Sequence, residues 1–245
     1  YCNEFYAEKT VINPVEVFLK LNKVSKAPFS SFLKLEDKFL LSASPERFLK
    51  REGSKLITQP IKGTIKKGKT MQENEALKQH LQNDPKERAE NVMIVDLMRN
   101  DLAKSSVAGS VKVEELYGIY EFETVNQMIS TIVSETKANS VEIIKNAFPM
   151  GSMTGAPKII VIENIEKYED VKRGLFSGSV GYLTADGDFD FNVVIRSILY
   201  NATEKYLSIQ VGGAITYDSI PEKEYEEILL KAKNLVKVLN AEIAG

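Results

Sequence analysis

The chain has 245 residues, 43% of them hydrophobic, enough for one large or two small domains with a buried core. A formal charge of -2, from 32 basic and 34 acidic residues, argues against a general binder of nucleic acid or anionic membrane. One cysteine, Cys2, and one histidine, His80, rule out an internal disulfide and leave almost no material for a zinc site or a Ser-His-Asp triad.

The hydrophobic pattern predicts strands over 31–35 and 38–42 around a Glu36-Asp37 turn, then over 47–50 and 55–58 around Glu52-Gly53-Ser54. A polar helix follows, on which His80 reads as a solvated residue. Asp84 caps a further helix with Pro85 at its first position. Ala89, Val92, Met93 and Leu97 give that helix a buried face as far as Leu102. Short strands are predicted over 110–113 and 127–134, and helices over 141–147 and 157–167. Three strands come next, over 179–184, 189–200 and 206–215, with Asp186-Gly187 marking a hairpin between the first two. The last helix is announced by Ser219-x-x-Glu222, a capping box enclosing Pro221, and runs to about Asn240. Strands interleaved with long helices predict a single α+β domain over 1–245, with helices covering antiparallel sheets. No apolar run reaches membrane-spanning length and no signal peptide is visible; the single cysteine fits a reducing cytoplasm, where the protein is expected.

Chemistry must then use carboxylates, lysines, arginines and backbone. Lys62 sits in Thr58-Gln59-Pro60-Ile61-Lys62-Gly63-Thr64, on a rigid turn beside strand-like sequence. A lysine held there serves as an activated amine in dry surroundings, or is a surface residue of a β-turn. Glu87 and Glu90 share one helix face; Glu224 and Glu227 repeat the spacing, with Lys231 one turn later. Such pairs suit a hard cation that keeps several waters, as Mg²⁺ does, and equally suit a helix dipole with no metal at all. The segment from Met150 through Gly151, Ser152 and Gly155 to Lys158 leads into a helix whose free N–H groups favour an anion. Gly212 and Gly213 end a strand where a ligand could approach the backbone, and both segments can also be plain tight turns. Neither matches a nucleotide-binding pattern. Arg196, in an otherwise apolar strand, needs either a structural carboxylate or an acidic substrate.

Taken in order, these segments resemble the chorismate-utilising enzymes, which include anthranilate synthase component I, aminodeoxychorismate synthase component I, isochorismate synthase and salicylate synthase. The likeness runs from Ser42 to about Asn240. It is carried by Ser44-Pro45-Glu46-Arg47-Phe48, Pro60-Ile61-Lys62-Gly63-Thr64 and the helix from Ala89 through Asp96-Leu97-Met98-Arg99-Asn100-Asp101-Leu102. Thr154-Gly155-Ala156-Pro157-Lys158, Ile195-Arg196-Ser197 and Asp218-Ser219-Ile220-Pro221-Glu222 complete it. Anthranilate synthases look like Pro-Ile-Ala-Gly-Thr where this chain has Lys62, so it is most similar to the aminodeoxychorismate synthase component I group of the 4-aminobenzoate branch of folate synthesis.

The resemblance implies two antiparallel sheets packed as an orthogonal sandwich with helices outside, and an N-terminal part missing from this chain. It implies Mg²⁺ held by Glu90 and Glu227, with Glu87 and Glu224 close by. Lys62 would attack ring carbon 2 of chorismate as the C4 hydroxyl leaves, and ammonia from a glutaminase subunit or domain would then add at C4. Glu46 matches the acid/base for the hydroxyl and would need a raised pKa. Thr64, Ser152, Gly178, Arg196, Gly212, Gly213 and Lys231 match positions that hold the substrate. Three residues depart from the family: Gln127 stands where most members carry histidine, Phe176 where several have tyrosine, and Ala214 in place of a glycine. An amide can hydrogen-bond but cannot usefully give up a proton. Full members are about twice as long, and the chain opens on Tyr1 rather than methionine, so a truncated or naturally short member is expected, with self-association to cover bare sheet edges. The alternatives are an isochorismate, salicylate or anthranilate synthase, or a non-catalytic chorismate-binding fragment.

Overall fold

Twelve residues after the start of the computed structural model, which describes residues 1–123 and 125–243, Asn13 begins the first helix. Its side-chain oxygen accepts from the amides of Val15 and Glu16, and Pro14 fills the first helical position. This helix, α1 (Pro14–Ser25), follows strand β1 (Cys2–Ala7); the hydrophobic pattern had assigned no element before residue 31. The two expected hairpins form as β2 (Phe29–Leu35) with β3 (Lys38–Ser44), and β4 (Arg47–Glu52) with β5 (Lys55–Gln59). Strand β6 (Ile61–Lys66) carries Lys62, and α2 (Met71–Asn83) the exposed His80. Helix α3 (Pro85–Ala103) starts as expected, with the Asp84 carboxylate accepting from the amides of Lys86 and Glu87.

Strand β7 (Lys112–Glu121) is longer than expected and β8 (Val125–Glu135) close to expectation; α4 (Ser140–Ala147), a 3-10 turn (Gly151–Met153) and α5 (Lys158–Tyr168) follow. The strand predicted over 189–200 is two strands, β10 (Phe189–Asn192) and β11 (Ser197–Asn201), after the short β9 (Gly181–Leu183). Arg196 breaks it, taking φ 52, a left-handed conformation that no continuous strand accommodates. After β12 (Tyr206–Gly212) comes α6 (Pro221–Val238). The predicted capping box does not form: Ile220 is the N-cap, and the Ser219 hydroxyl accepts from the Thr216 amide instead.

The described residues fall into two units, and the fold class is α+β with two antiparallel sheets, as expected. One unit comprises Tyr1–Pro45, Glu163–Val180 and the chain from Asn192. Its sheet has the order β1-β12-β11-β3-β2. Apolar faces of α1 and α6 cover it, with Leu21, Leu41, Ile198, Ile209, Ile228 and Leu235 in the core. Burying each such side chain contributes about 1.5–3 kcal/mol.

The other unit comprises Glu46–Ile162 and Gly181–Phe191. Its sheet runs β6-β8-β5-β4-β10-β9, with β7 also paired to β8. Along β8 the side chains alternate faces. Ser130 donates to Asn91 of α3 at 2.6 Å and Asn126 to Asn74 of α2 at 2.8 Å, so that face meets the helices. Gln127, Ile129 and Thr131 lie on the opposite face. Asn74 in turn donates to Glu121, which also pairs with Lys67 and Lys78. No helix among the described residues is long and apolar enough to cross a membrane.

Hydrogen bonds from Lys67 and Lys78 hold the Glu121 carboxyl at about 2, below its ordinary 4.5. Because the folded value is the lower one, the stabilisation is present above about pH 4.5 and lost as pH falls through about 2. Glu121→Gln is therefore expected to lower the thermal midpoint at pH 6, with the gap from the parent closing towards pH 2; unfolding curves at both values check it.

A second pin is Asp101 near the end of α3. Its buried carboxylate accepts from Lys158 at 2.8 and 2.9 Å, from Lys104 at 3.0 Å and from the Gly151 amide at 3.1 Å. Asp101→Asn leaves the Lys158 amine without a carboxylate and is expected to cost about 3 kcal/mol in urea unfolding; a loss under about 1 kcal/mol would contradict this account.

Candidate active site

The pairing of β6 with β8 runs Ile61 to Ile129 and then Thr64 to Gln127, so Lys62 and Gly63 together face one residue. Such a bulge bends a strand and re-aims its side chains. Gly63 has φ 92, and a Cβ added to it would stand 3.1 Å from Glu87 Oε2, 3.1 Å from Leu81 Cδ1 and 3.3 Å from Met128 Cβ. The positive φ favours glycine there, and a side chain would crowd the three neighbours. The Glu87 carboxylate consequently lies against the backbone beside Lys62. Lys62 is half-buried and Thr64 exposed. Glu90, one turn beyond Glu87, keeps 20% of its side chain exposed and lies 3.9 Å from Lys86.

Glu46 is buried at the entrance to β4, with 7% exposed. The next residue, Arg47, grips both oxygens of Asp190 at 2.9 and 3.0 Å and donates its third bond to Gln59. Gln59 donates to Thr131 at 3.1 Å, so a polar row crosses β10, β4, β5 and β8. Ser152 sits half-buried in the 3-10 turn. The anion that this turn binds through the Gly151 amide and Lys158 is the protein's own Asp101. Sequence spacing does not reveal this pairing of Asp101, because its partners Gly151 and Lys158 lie 50 and 57 positions away; the Arg99-Asn100-Asp101-Leu102 run marks it only as part of a helix.

In the other unit, the Arg196 guanidinium donates to the carbonyl of Lys231 at 3.1 Å. Burial pulls its pKa below the ordinary value, and the Glu227 carboxylate acts in the opposite direction. Lys231 donates to the Gly212 carbonyl at 2.8 Å and pairs with Glu227. Glu224 Oε2 lies 3.6 Å, and Lys231 Nζ 3.9 Å, from where a Cβ on Gly213 would stand. Six of the predicted residues, Arg196, Gly212, Gly213, Glu224, Glu227 and Lys231, thus form one cluster around the end of β12. Two cations and bare glycine backbone can receive a carboxylate there. Gly178 has its own hydrogen bonds, donating to Leu175 at 3.0 Å and accepting from Val194 at 2.8 Å. Among the described residues no three histidine, cysteine, aspartate or glutamate side chains are grouped to hold a metal. Each unit instead offers a pair of glutamates on one helix face.

The chain matches the chorismate binding enzyme family over residues 1–237. It is 42% identical over 226 residues to aminodeoxychorismate synthase component 1 of Escherichia coli strain K12, covering 91% of this chain and 49% of that protein. It is 44% identical over 226 residues to the chloroplastic aminodeoxychorismate synthase of Arabidopsis thaliana, covering 90% and 24%. The crystal structure of anthranilate synthase component I from Streptococcus pneumoniae TIGR4 is similar at a TM-score of 0.85 and 32% identity, over 95% of this chain and 51% of that one. The chain spans about half the length of the bacterial relatives and about a quarter of the plant one.

Gly63→Ala adds a methyl group at a positive φ and within 3.1–3.3 Å of side-chain atoms of Glu87, Leu81 and Met128. It is expected to destabilise the fold by about 1–3 kcal/mol, read from denaturant midpoints, and an unchanged midpoint would sink the packing argument.

Proposed function

This chain belongs to the chorismate-binding enzyme family, and from that premise we propose that it acts as an aminodeoxychorismate synthase component I, aminating chorismate at ring carbon 4. The observation that carries the proposal is Lys62: a half-buried residue on a bulged strand, next in sequence to the glycine that the Glu87 carboxylate approaches, within Pro60-Ile61-Lys62-Gly63-Thr64. Two relatives that are named aminodeoxychorismate synthases, at 42% and 44% identity, support it.

In this reading the neutral Lys62 amine adds at ring carbon 2, the ring double bonds shift and the C4 hydroxyl departs as water with a proton from Glu46. Ammonia then adds at C4, the double bonds shift back and the lysine leaves. Dividing one hard substitution into two easier ones is what a covalent nucleophile contributes. Among the residues proposed to hold substrate, Arg196 and Lys231 supply cations, and the backbone at Gly212 and Gly213 open approach, for a carboxylate. The pairs Glu87/Glu90 and Glu224/Glu227 supply hard oxygen donors in twos, which fits Mg²⁺, an ion that keeps waters and takes further ligands from substrate. When bound, Mg²⁺ would draw electron density from the ring through its carboxylate. Ammonia would come from a glutaminase subunit or domain, and the product would feed 4-aminobenzoate and folate synthesis in the cytoplasm.

The test is to incubate the chain with Mg²⁺, chorismate and ammonium and to identify the product. Aminated product is expected, with Lys62→Ala lowering its rate by at least about a hundredfold. Unchanged chorismate rejects the activity, a hydroxylated product points to isochorismate or salicylate synthesis, and an undiminished Lys62→Ala removes the lysine from the mechanism.

A further inference from the structure

Residues 169–178, between α5 and β9, belong to no helix or strand. One side chain spans them. The Arg173 guanidinium donates from Nε to Glu169 Oε2 at 2.8 Å, from Nη2 to Glu169 Oε1 at 2.6 Å and from Nη1 to the Ser177 hydroxyl at 3.2 Å. The Arg173 side chain is 16% exposed and that of Glu169 5%, so neither charge can lose the other without cost. The clasp closes on Ser177, which takes φ 65. A residue with a side chain keeps that left-handed conformation only where its surroundings over-determine it. Two further ties join the clasped segment to the carboxylate cluster around β12. The Ser177 amide donates to the Val194 carbonyl at 3.0 Å, and the Val194 amide donates to the Gly178 carbonyl at 2.8 Å, two residues before Arg196. From the other side, the Gln210 amide donates to the Lys172 carbonyl at 3.0 Å, two residues before Gly212. The segment thus bridges the two stretches of backbone that present Arg196 and Gly212.

We infer that Arg173 is a positioning residue for substrate: through Ser177 and Lys172 it sets how far Arg196 stands from the Gly212 end of β12, and so the width of the gap that receives a carboxylate. The inference rests on the chorismate reading above. A guanidinium suits the task because its planar fork gives two N–H groups to Glu169 and keeps a third for Ser177. An ammonium is a compact point charge and cannot hold both partners in fixed geometry. Arg173 handles no bond or proton of the substrate. Its effect therefore falls on binding, and the chemical step keeps its rate.

Arg173→Lys and Ser177→Ala in the full chain test this, through thermal unfolding, amide hydrogen exchange, chorismate binding by calorimetry with Mg²⁺ and no ammonium, and steady-state amination. Arg173→Lys keeps a charge beside Glu169, and its Ser177 and Val194 amides should exchange at least about tenfold faster than the parent's while the core amides of β12 hold. Its chorismate dissociation constant should rise about tenfold, with kcat at saturating chorismate within about threefold of the parent's. Ser177→Ala removes only the far end of the clasp and should raise the dissociation constant about fivefold. A merely structural ion pair would lower the thermal midpoint and leave binding alone. The inference is therefore overturned if folded Arg173→Lys binds chorismate within about twofold of the parent, or if its loss lies in kcat with binding unchanged. Should Arg173→Lys fail to fold, Ser177→Ala decides, and an unchanged dissociation constant overturns the inference. A parent that binds chorismate without aminating it overturns the amination reading alone, and the dissociation constants still judge Arg173. A parent that binds no chorismate overturns both.

Discussion

Everything in the lysine-bearing unit depends on the absence of a side chain at residue 63. The strand can turn through φ 92 and admit the Glu87 carboxylate against its backbone only because Gly63 has no Cβ. A bulge with a side chain there would either straighten, shifting every residue of β6 by one position relative to β8, or push α3 away. Register carries unusual weight in this strand: a slip of one residue would exchange the two faces and take Thr64 from its place opposite Gln127. The helix that presses on the glycine is itself fixed at both ends. Asp84 satisfies its first amides, and Asp101 ties its last turn to the Gly151 amide and Lys158.

The buried charge at Asp101 shows what occupies the Gly151 amide and Lys158 in the segment after α4, which the sequence leaves open between an anion site and a tight turn. Two cations and a backbone amide converge on one carboxylate that is almost wholly removed from water. Such a site is stable only when fully paired. It therefore acts as a lock on the turn that carries Ser152.

Much of the fold was legible where local chemistry is decisive. The Glu36-Asp37 and Glu52-Gly53-Ser54 turns located four strands, and Asp84-Pro85 located α3 within a residue. Legibility failed where a distant partner overrides local preference. Val193, Val194 and Ile195 read as strand, but Arg196 turns the chain so that its guanidinium meets the Lys231 carbonyl, 35 residues on. Ser219 looked like a cap because it stands three residues before a glutamate; it closes its own turn with Thr216 instead. Most of β7 is exposed or only half-buried, so it carries little alternation, and its pairing with the deeply buried β8 is what makes it a strand. Helix spacing did place Glu224, Glu227 and Lys231 together, since three- and four-residue separations survive any tertiary context.

Proton transfer poses the last constraint. The single histidine, His80, is exposed on α2, and the site region has no side chain that ordinarily titrates near neutral pH. Acid–base work then falls to carboxylates and amines, whose ordinary values lie well to either side of 7. Their protonation can be matched to catalysis only by environment, through burial and through pairing with opposite charge. Glu46 is buried and Lys231 is held between Glu227 and the Gly212 carbonyl, so the proposed chemistry draws on groups whose surroundings the fold sets.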